Sequence, residues 1–171
     1  MPVGVRGIPP QQQERRNDGA PNVRGALGSA SKMIILDTNV ISEPLRPRAD
    51  PAVVRWLDAQ HPDTLYLTAV TLSEVLIGIA LLPAGKRKRG MELNAQSLQM
   101  KLFADRFLSF EREAAIAFAL LGSRAAARGY PISVADCQIA AIAAVHGFAV
   151  ATRDTAPFLA AGVQVINPWE N

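Results

Sequence analysis

Four carboxylates in this sequence stand at the ends of apolar strands or near the starts of apolar helices. Asp37 ends the apolar run Met33-Ile34-Ile35-Leu36 and is followed by Thr38 and Asn39, both turn and cap formers. Asp154 closes "VATRD" in the same way. Glu74 falls near the start of "TLSEVLIGIALL", and Asp136 near the start of "SVADCQIAAIAAVHG". Desolvating a carboxylate without partners is expensive. Each of the four has a structural explanation of its own. Thr71–Glu74 and Ser133–Asp136 both match the capping box, Asp154 and Asp37 suit N-caps, and acids near helix starts favour the macrodipole.

Two features set the group apart from four separate caps. At helical spacing Glu74 shares a stripe with Ile77, Gly78 and Leu81, and Asp136 shares one with Ile139, Ala140 and Ala143, so both are expected on buried faces. A cluster of acids also repels itself and raises its own pKa values unless a cation is present. Mg²⁺ characteristically takes a few carboxylates and several waters.

The elements that must position these acids alternate regularly. Met33–Leu36, Leu65–Thr68, Phe107–Phe110, "FAVATRD" and "VQVIN" read as strands. Between them lie expected helices near Val40–Leu45, over Pro51–Gln60 with Asp50 as N-cap, over Thr71–Leu82, through "GKRKRGMELNAQSLQMKLFADRF", through "EREAAIAFALLGSRAAARG" to Gly129, through "SVADCQIAAIAAVHG" to Gly147, and over Thr155–Ala161. Alternation of this kind implies an α/β fold, a parallel sheet covered on both faces. Strand C-termini and the following helix N-termini then share the edge where ligands bind. Four acids spread along the chain are thereby expected on one side of the fold.

Composition narrows the class. The chain has 171 residues, 49% of them hydrophobic, enough for one globular domain with a sizeable core. One cysteine, Cys137, rules out an internal disulfide framework and suits the cytoplasm. The longest charge-free stretch, between Asp136 and Arg153, holds 16 residues and is too short and too polar to suggest a membrane span. Residues 1–32 hold five bases, two acids, four prolines, five glycines and no aromatic residue. They account for the whole net charge of +3 and cannot bury enough apolar surface to order themselves, so a disordered extension is expected. A start codon placed too early would explain it, since Met33 opens the first strand. Residues 33–171 form the expected domain.

The remaining inventory excludes several chemistries. His61 and His146 are dispersed, which leaves a paired-histidine ribonuclease mechanism and a zinc site without support. No G-x-S-x-G elbow occurs. "AGKRKR" fails as a phosphate loop because Ala80 replaces the first glycine and Arg87 the Ser/Thr. Metal-assisted attack of water on a phosphate ester remains.

"MIILDTNVISEPLRP", "TAVTLSEVLIGIALLPAGKRK", "YPISVADCQIAAIAAVHGFAVATRD" and "INPW" together resemble the PIN-domain ribonuclease toxins of bacterial toxin–antitoxin pairs, of the VapC type near its FitB-like branch. The resemblance covers Met33 to about Glu170 and is specific. It implies a three-layer α/β/α fold with a five-stranded parallel sheet, Mg²⁺- or Mn²⁺-dependent cleavage of single-stranded RNA, and homodimers. It also implies a cognate antitoxin, a small DNA-binding protein that blocks the site and carries the toxin onto operator DNA. Carried over residue by residue, the family's acids fall on Asp37, Glu74, Asp136 and Asp154, with Asp37 and Asp136 as the surest metal ligands. Thr38, Asn39 and Thr152 would orient them. Where some relatives have an acid just before the phenylalanine after "TRD", this chain has Pro157, so one bound ion and two are both open.

Lys86, Arg87, Lys88 and Arg89 form the one dense basic run in a domain of otherwise balanced charge. As a helix start it opposes the macrodipole, and it is the best candidate for a basic rail guiding RNA to the acids. The rival readings are non-nuclease proteins with an acidic pocket. An aspartyl phosphatase wants a second Asp where Asn39 stands, and a receiver-like module wants a late lysine where Arg153 stands. A PIN domain that has lost catalysis fits poorly with all four acids present.

Overall fold

The computed structural model describes residues 32–97, 99 and 103–170, so the expectation for residues 1–32 lies outside the described residues except at Lys32. The β-rich apolar runs form five short strands, β1 (Ile34–Leu36), β2 (Leu65–Thr68), β3 (Phe107–Leu108), β4 (Ala149–Ala151) and β5 (Val165–Ile166). They pair in parallel in the order β3-β2-β1-β4-β5. Between them run α1 (Thr38–Ser42), α2 (Pro51–Asp58), α3 (Ala69–Ala80), α4 (Lys86–Ser97), α5 (Arg112–Ala127), α6 (Val134–His146) and α7 (Thr155–Ala161).

Strand β1 shows how the layers form. Its side chains alternate between the faces of the sheet. Ile35 joins one core with Leu121 of α5, Ile139 and Ile142 of α6, and Phe158 of α7. Ile34 and Leu36 join the other with Val40 and Ile41 of α1, Val53 of α2 and Phe103. Each large side chain so buried contributes roughly 1.5–3 kcal/mol. Both faces are covered, which is why the run is apolar without alternation.

Local chemistry sets the helix starts, and two lie earlier than the periodicity suggests. The first begins at Thr38, because Asp37 takes the N-cap position and accepts the Thr38 N–H at 2.7 Å. A separate 3-10 turn over Glu43–Leu45 completes the stretch expected as one helix. Helix α3 begins at Ala69, because the Thr68 hydroxyl accepts the Thr71 N–H at 2.9 Å. Helix α2 starts as expected: Pro51 is its first residue and the Asp50 carboxylate accepts the Ala52 N–H at 2.9 Å. Helix α6 stops at Gly147, whose φ of 68° is open to glycine at little cost. Among the described residues no helix is long and apolar enough to cross a membrane.

The strand order places the site. From β1 the chain moves to β2 and β3 on one side, then returns to lay β4 and β5 on the other. The connections beyond β1 and β4 therefore diverge, leaving a crevice at their C-terminal ends.

Candidate active site

Asp37 lies at that crevice, directly after β1, and its main-chain N–H donates to Ala151 O of β4 at 3.0 Å. It is a carboxylate only 4% exposed. Its Oδ1 accepts the Thr38 N–H, and its Oδ2 accepts from Asn39 Nδ2 at 2.6 Å and from the Thr152 hydroxyl at 2.8 Å. Thr152, just past β4, in turn accepts from Asn39 Nδ2 at 3.2 Å and from the Asp154 N–H at 3.1 Å. Residues 113 and 115 positions apart in sequence thus hold one carboxylate in one orientation.

Glu74 and Asp136 reach the same edge from the two flanking helices. Glu74 Oε2 accepts the Thr38 hydroxyl at 2.5 Å, which ties α3 to α1. The earlier start of α3 puts Glu74 in its second turn, so Thr71–Glu74 is not a capping box. The stripe expected to bury Glu74 is also corrected. The buried positions of α3 are Thr71 and Ile79, with Val75 partly buried between them, whereas Ile77 is 61% and Leu81 80% exposed. Glu74 sits half-buried at the margin between the two faces. Asp136 follows expectation more closely, since Ile139, Ala140 and Ala143 below it are fully buried. Ser133 caps α6 by accepting the Asp136 N–H at 3.0 Å, and its hydroxyl donates to Asp136 Oδ2 at 2.7 Å. Asp154 occupies the N-cap position of α7 without making a side-chain cap bond, and it is exposed.

The electrostatics couple three of the four. Burial pushes the Asp37 pKa up, hydrogen bonds from Thr152 and Thr38 pull it back, and the charges of Asp136 and Glu74 raise it again, to about 6. The donors are all oxygens, the set a hard divalent cation takes, and such an ion would relieve both the repulsion and the burial penalty. Among the described residues, no three acid, histidine or cysteine side chains stand close enough to hold one ion together as they are oriented. Asp136 is turned to Ser133 and Glu74 to Thr38.

The basic run forms the first turn of α4. Lys86, Arg87 and Arg89 are exposed, while Lys88 Nζ donates to Ala80 O at 2.7 Å, capping the last turn of α3. The negative end of the α3 dipole thus faces the cations that oppose the α4 dipole. Ala80 lies six residues beyond Glu74, roughly 9 Å along the helix axis. Sequence reasoning missed Glu43, a carboxylate 3% exposed that pairs with Arg46 at 3.1 Å and accepts the Asp50 N–H at 3.0 Å. The i, i+3 spacing of Glu43 and Arg46 was its only signal.

The sequence pattern of the PIN domain matches residues 34–163. The chain is 50% identical over 138 residues to a plasmid stability protein, StbB, of Pseudomonas syringae pv. tomato, covering 81% of this chain and 99% of that one. It is 48% identical to VapC ribonuclease Y4jK of Sinorhizobium fredii, with the same coverage. It is 46% identical to toxin FitB of Neisseria gonorrhoeae, over 81% of this chain and all of that one. Its fold superposes on a chain of the FitAB complex bound to a DNA fragment with a TM-score of 0.77 at 47% identity, covering 80% of this chain and 96% of that one. Crevice, acids and relatives agree: the chain belongs to the PIN-domain family.

Proposed function

We propose that this protein is a divalent-metal-dependent endoribonuclease, the toxin of a toxin–antitoxin pair, that cleaves single-stranded RNA by attack of water on a phosphodiester. One observation carries the reading. Asp37 is buried at the sheet's crevice, pushed up to about 6 by burial and by the charges of Asp136 and Glu74. Asp37 and Asp136 would hold the ion, with Glu74 and Asp154 completing the pocket. Bound there, Mg²⁺ or Mn²⁺ supplies an acidified water and positive charge to offset that of the leaving oxygen. The chain's own part is orientation. Asn39 and Thr152 fix the Asp37 carboxylate, and Thr38 fixes Glu74. Both oxygens of Asp37 already accept hydrogen bonds, which suits a ligand held in place better than a phosphatase nucleophile.

The relatives support the biological setting. One is named a VapC ribonuclease and another a toxin, and the structural neighbour is a complex on DNA. By that likeness this protein acts in the cytoplasm, pairs with an antitoxin that blocks the acids, and meets operator DNA only through that complex. A homodimer is proposed with it. Leu76, Ile77 and Leu81 leave α3 an exposed apolar face that an assembled state would cover. Lys86, Arg87 and Arg89 remain proposed contacts for the RNA backbone.

The test is the cleavage of single-stranded RNA by purified protein, with end groups identified. Cleavage is expected with Mg²⁺ or Mn²⁺, to be absent in EDTA, and to leave no 2′,3′-cyclic phosphate. Cleavage persisting in EDTA, or cyclic ends that mark attack by the ribose 2′-hydroxyl, would overturn the reading.

A further inference from the structure

Between Thr152 and Asp154 stands Arg153, an exposed cation at an edge otherwise furnished with acids. Its main chain is tied to the site, because its N–H donates at 3.1 Å to Oδ1 of Asn39, whose amide donates to Asp37. A long, flexible cation beside four acids would be drawn onto them. Among the described residues Arg153 makes no ion pair, and its guanidinium instead lies over the ring of Trp169, 5.3 Å from the centroid. The ring is itself held. Trp169 packs on the core beneath β1 and β2, and its main-chain N–H donates to Asn167 Oδ1 at 3.1 Å.

This stacking has two consequences. A guanidinium over an aromatic face keeps its in-plane N–H donors free, in the fork that matches phosphate. It is also kept off the carboxylates, where it would compete with a metal ion for the same oxygens. We propose that Arg153, held by Trp169, binds a backbone phosphate of the RNA beside the scissile bond. The proposal rests on the ribonuclease reading above and adds a substrate contact to it. It gives the acidic edge a local anchor for a polyanion, closer in sequence to the acids than the run on α4.

The test is fluorescence anisotropy of a labelled single-stranded RNA in EDTA across a salt series, using full-length protein. Arg153→Ala should weaken binding on the order of tenfold, the loss of one charged hydrogen-bonded contact. It should also lower the slope of log affinity against log salt by about 0.7, one phosphate's share for a single strand. Arg153→Lys should keep the slope. Trp169→Leu should weaken binding while keeping the slope, because the charge stays and its support is lost. Circular dichroism establishes that each variant is folded under the assay conditions. Arg153→Ala with wild-type affinity and slope would overturn the contact, and Trp169→Leu with wild-type affinity would overturn the role of the ring. Mg²⁺-dependent cleavage by wild type and by Asp37→Asn, assayed in parallel, separates the two failures. If Asp37→Asn is inactive while Arg153→Ala binds normally, the contact alone is wrong. If the wild type shows no Mg²⁺-dependent cleavage, the ribonuclease reading itself is wrong, and if Asp37→Asn cleaves normally, the metal site built on that acid is wrong.

Discussion

The raised pKa of Asp37 makes the stability of the metal-free protein depend on pH in a direction opposite to that of most paired carboxylates. In the folded chain Asp37 titrates at about 6, against 3.8 for the free group. Between those values the folded state holds a proton that the unfolded state has lost, so stability falls as pH rises. The stabilising contribution is complete below about pH 4 and lost above about pH 6. At 1.36 kcal/mol per pKa unit the whole shift corresponds to about 3 kcal/mol. Urea unfolding in EDTA at several pH values from about 4 to 7.5 measures it, with Asp37→Asn as the reference that removes this titration and leaves the others. The wild type should lose up to about 3 kcal/mol more than the variant across that range. Adding Mg²⁺ should stabilise the wild type more at the upper end than at the lower, since the ion favours the ionised carboxylate. Parallel curves for wild type and variant in EDTA would refute the reasoning.

Two further outcomes follow from the site. Thr152→Val removes the hydroxyl that donates to Asp37 at 2.8 Å and holds its pKa down, so the Asp37 titration should move above about 6. Metal affinity at neutral pH, measured by calorimetry, should then drop roughly tenfold or more. Replacing Lys86, Arg87, Lys88 and Arg89 together by alanine should weaken RNA binding across sequences and flatten its salt dependence, with metal affinity unchanged. Wild-type RNA affinity and salt slope in that variant would leave the run as the partner of the α3 C-terminus.

The sequence carries much of this arrangement because its strong signals are local. Pro51 behind Asp50, and glycine after His146, mark helix ends through backbone chemistry within a few residues. The run Met33–Leu36 shows a doubly covered strand, since both its faces are apolar. The start of α3 was harder, because Thr68 belongs both to the strand and to the cap, and only its hydroxyl bond to the Thr71 N–H decides the boundary. The surroundings of Glu74 were misread for a different reason. Ile77 and Leu81 are apolar at helical spacing, and periodicity alone does not distinguish a face turned to the core from one left for a partner. Strand order was likewise beyond local signals. It depends on pairings such as Ile34 with both Leu65 and Ala149, which no spacing announces. The orienting roles of Asn39 and Thr152 were implied by the resemblance and are met by their bonds to Asp37, whereas the link from Arg153 to Trp169 appears only in the folded chain.

The most direct test of the central claim is RNA cleavage by Asp37→Asn and Asp136→Asn in Mg²⁺, with folding checked by thermal unfolding. Each variant removes one charged oxygen ligand and leaves the side-chain volume nearly unchanged. Both are expected to lose Mg²⁺-dependent cleavage while remaining folded. Cleavage at the wild-type rate by both folded variants would contradict a metal site built on these acids.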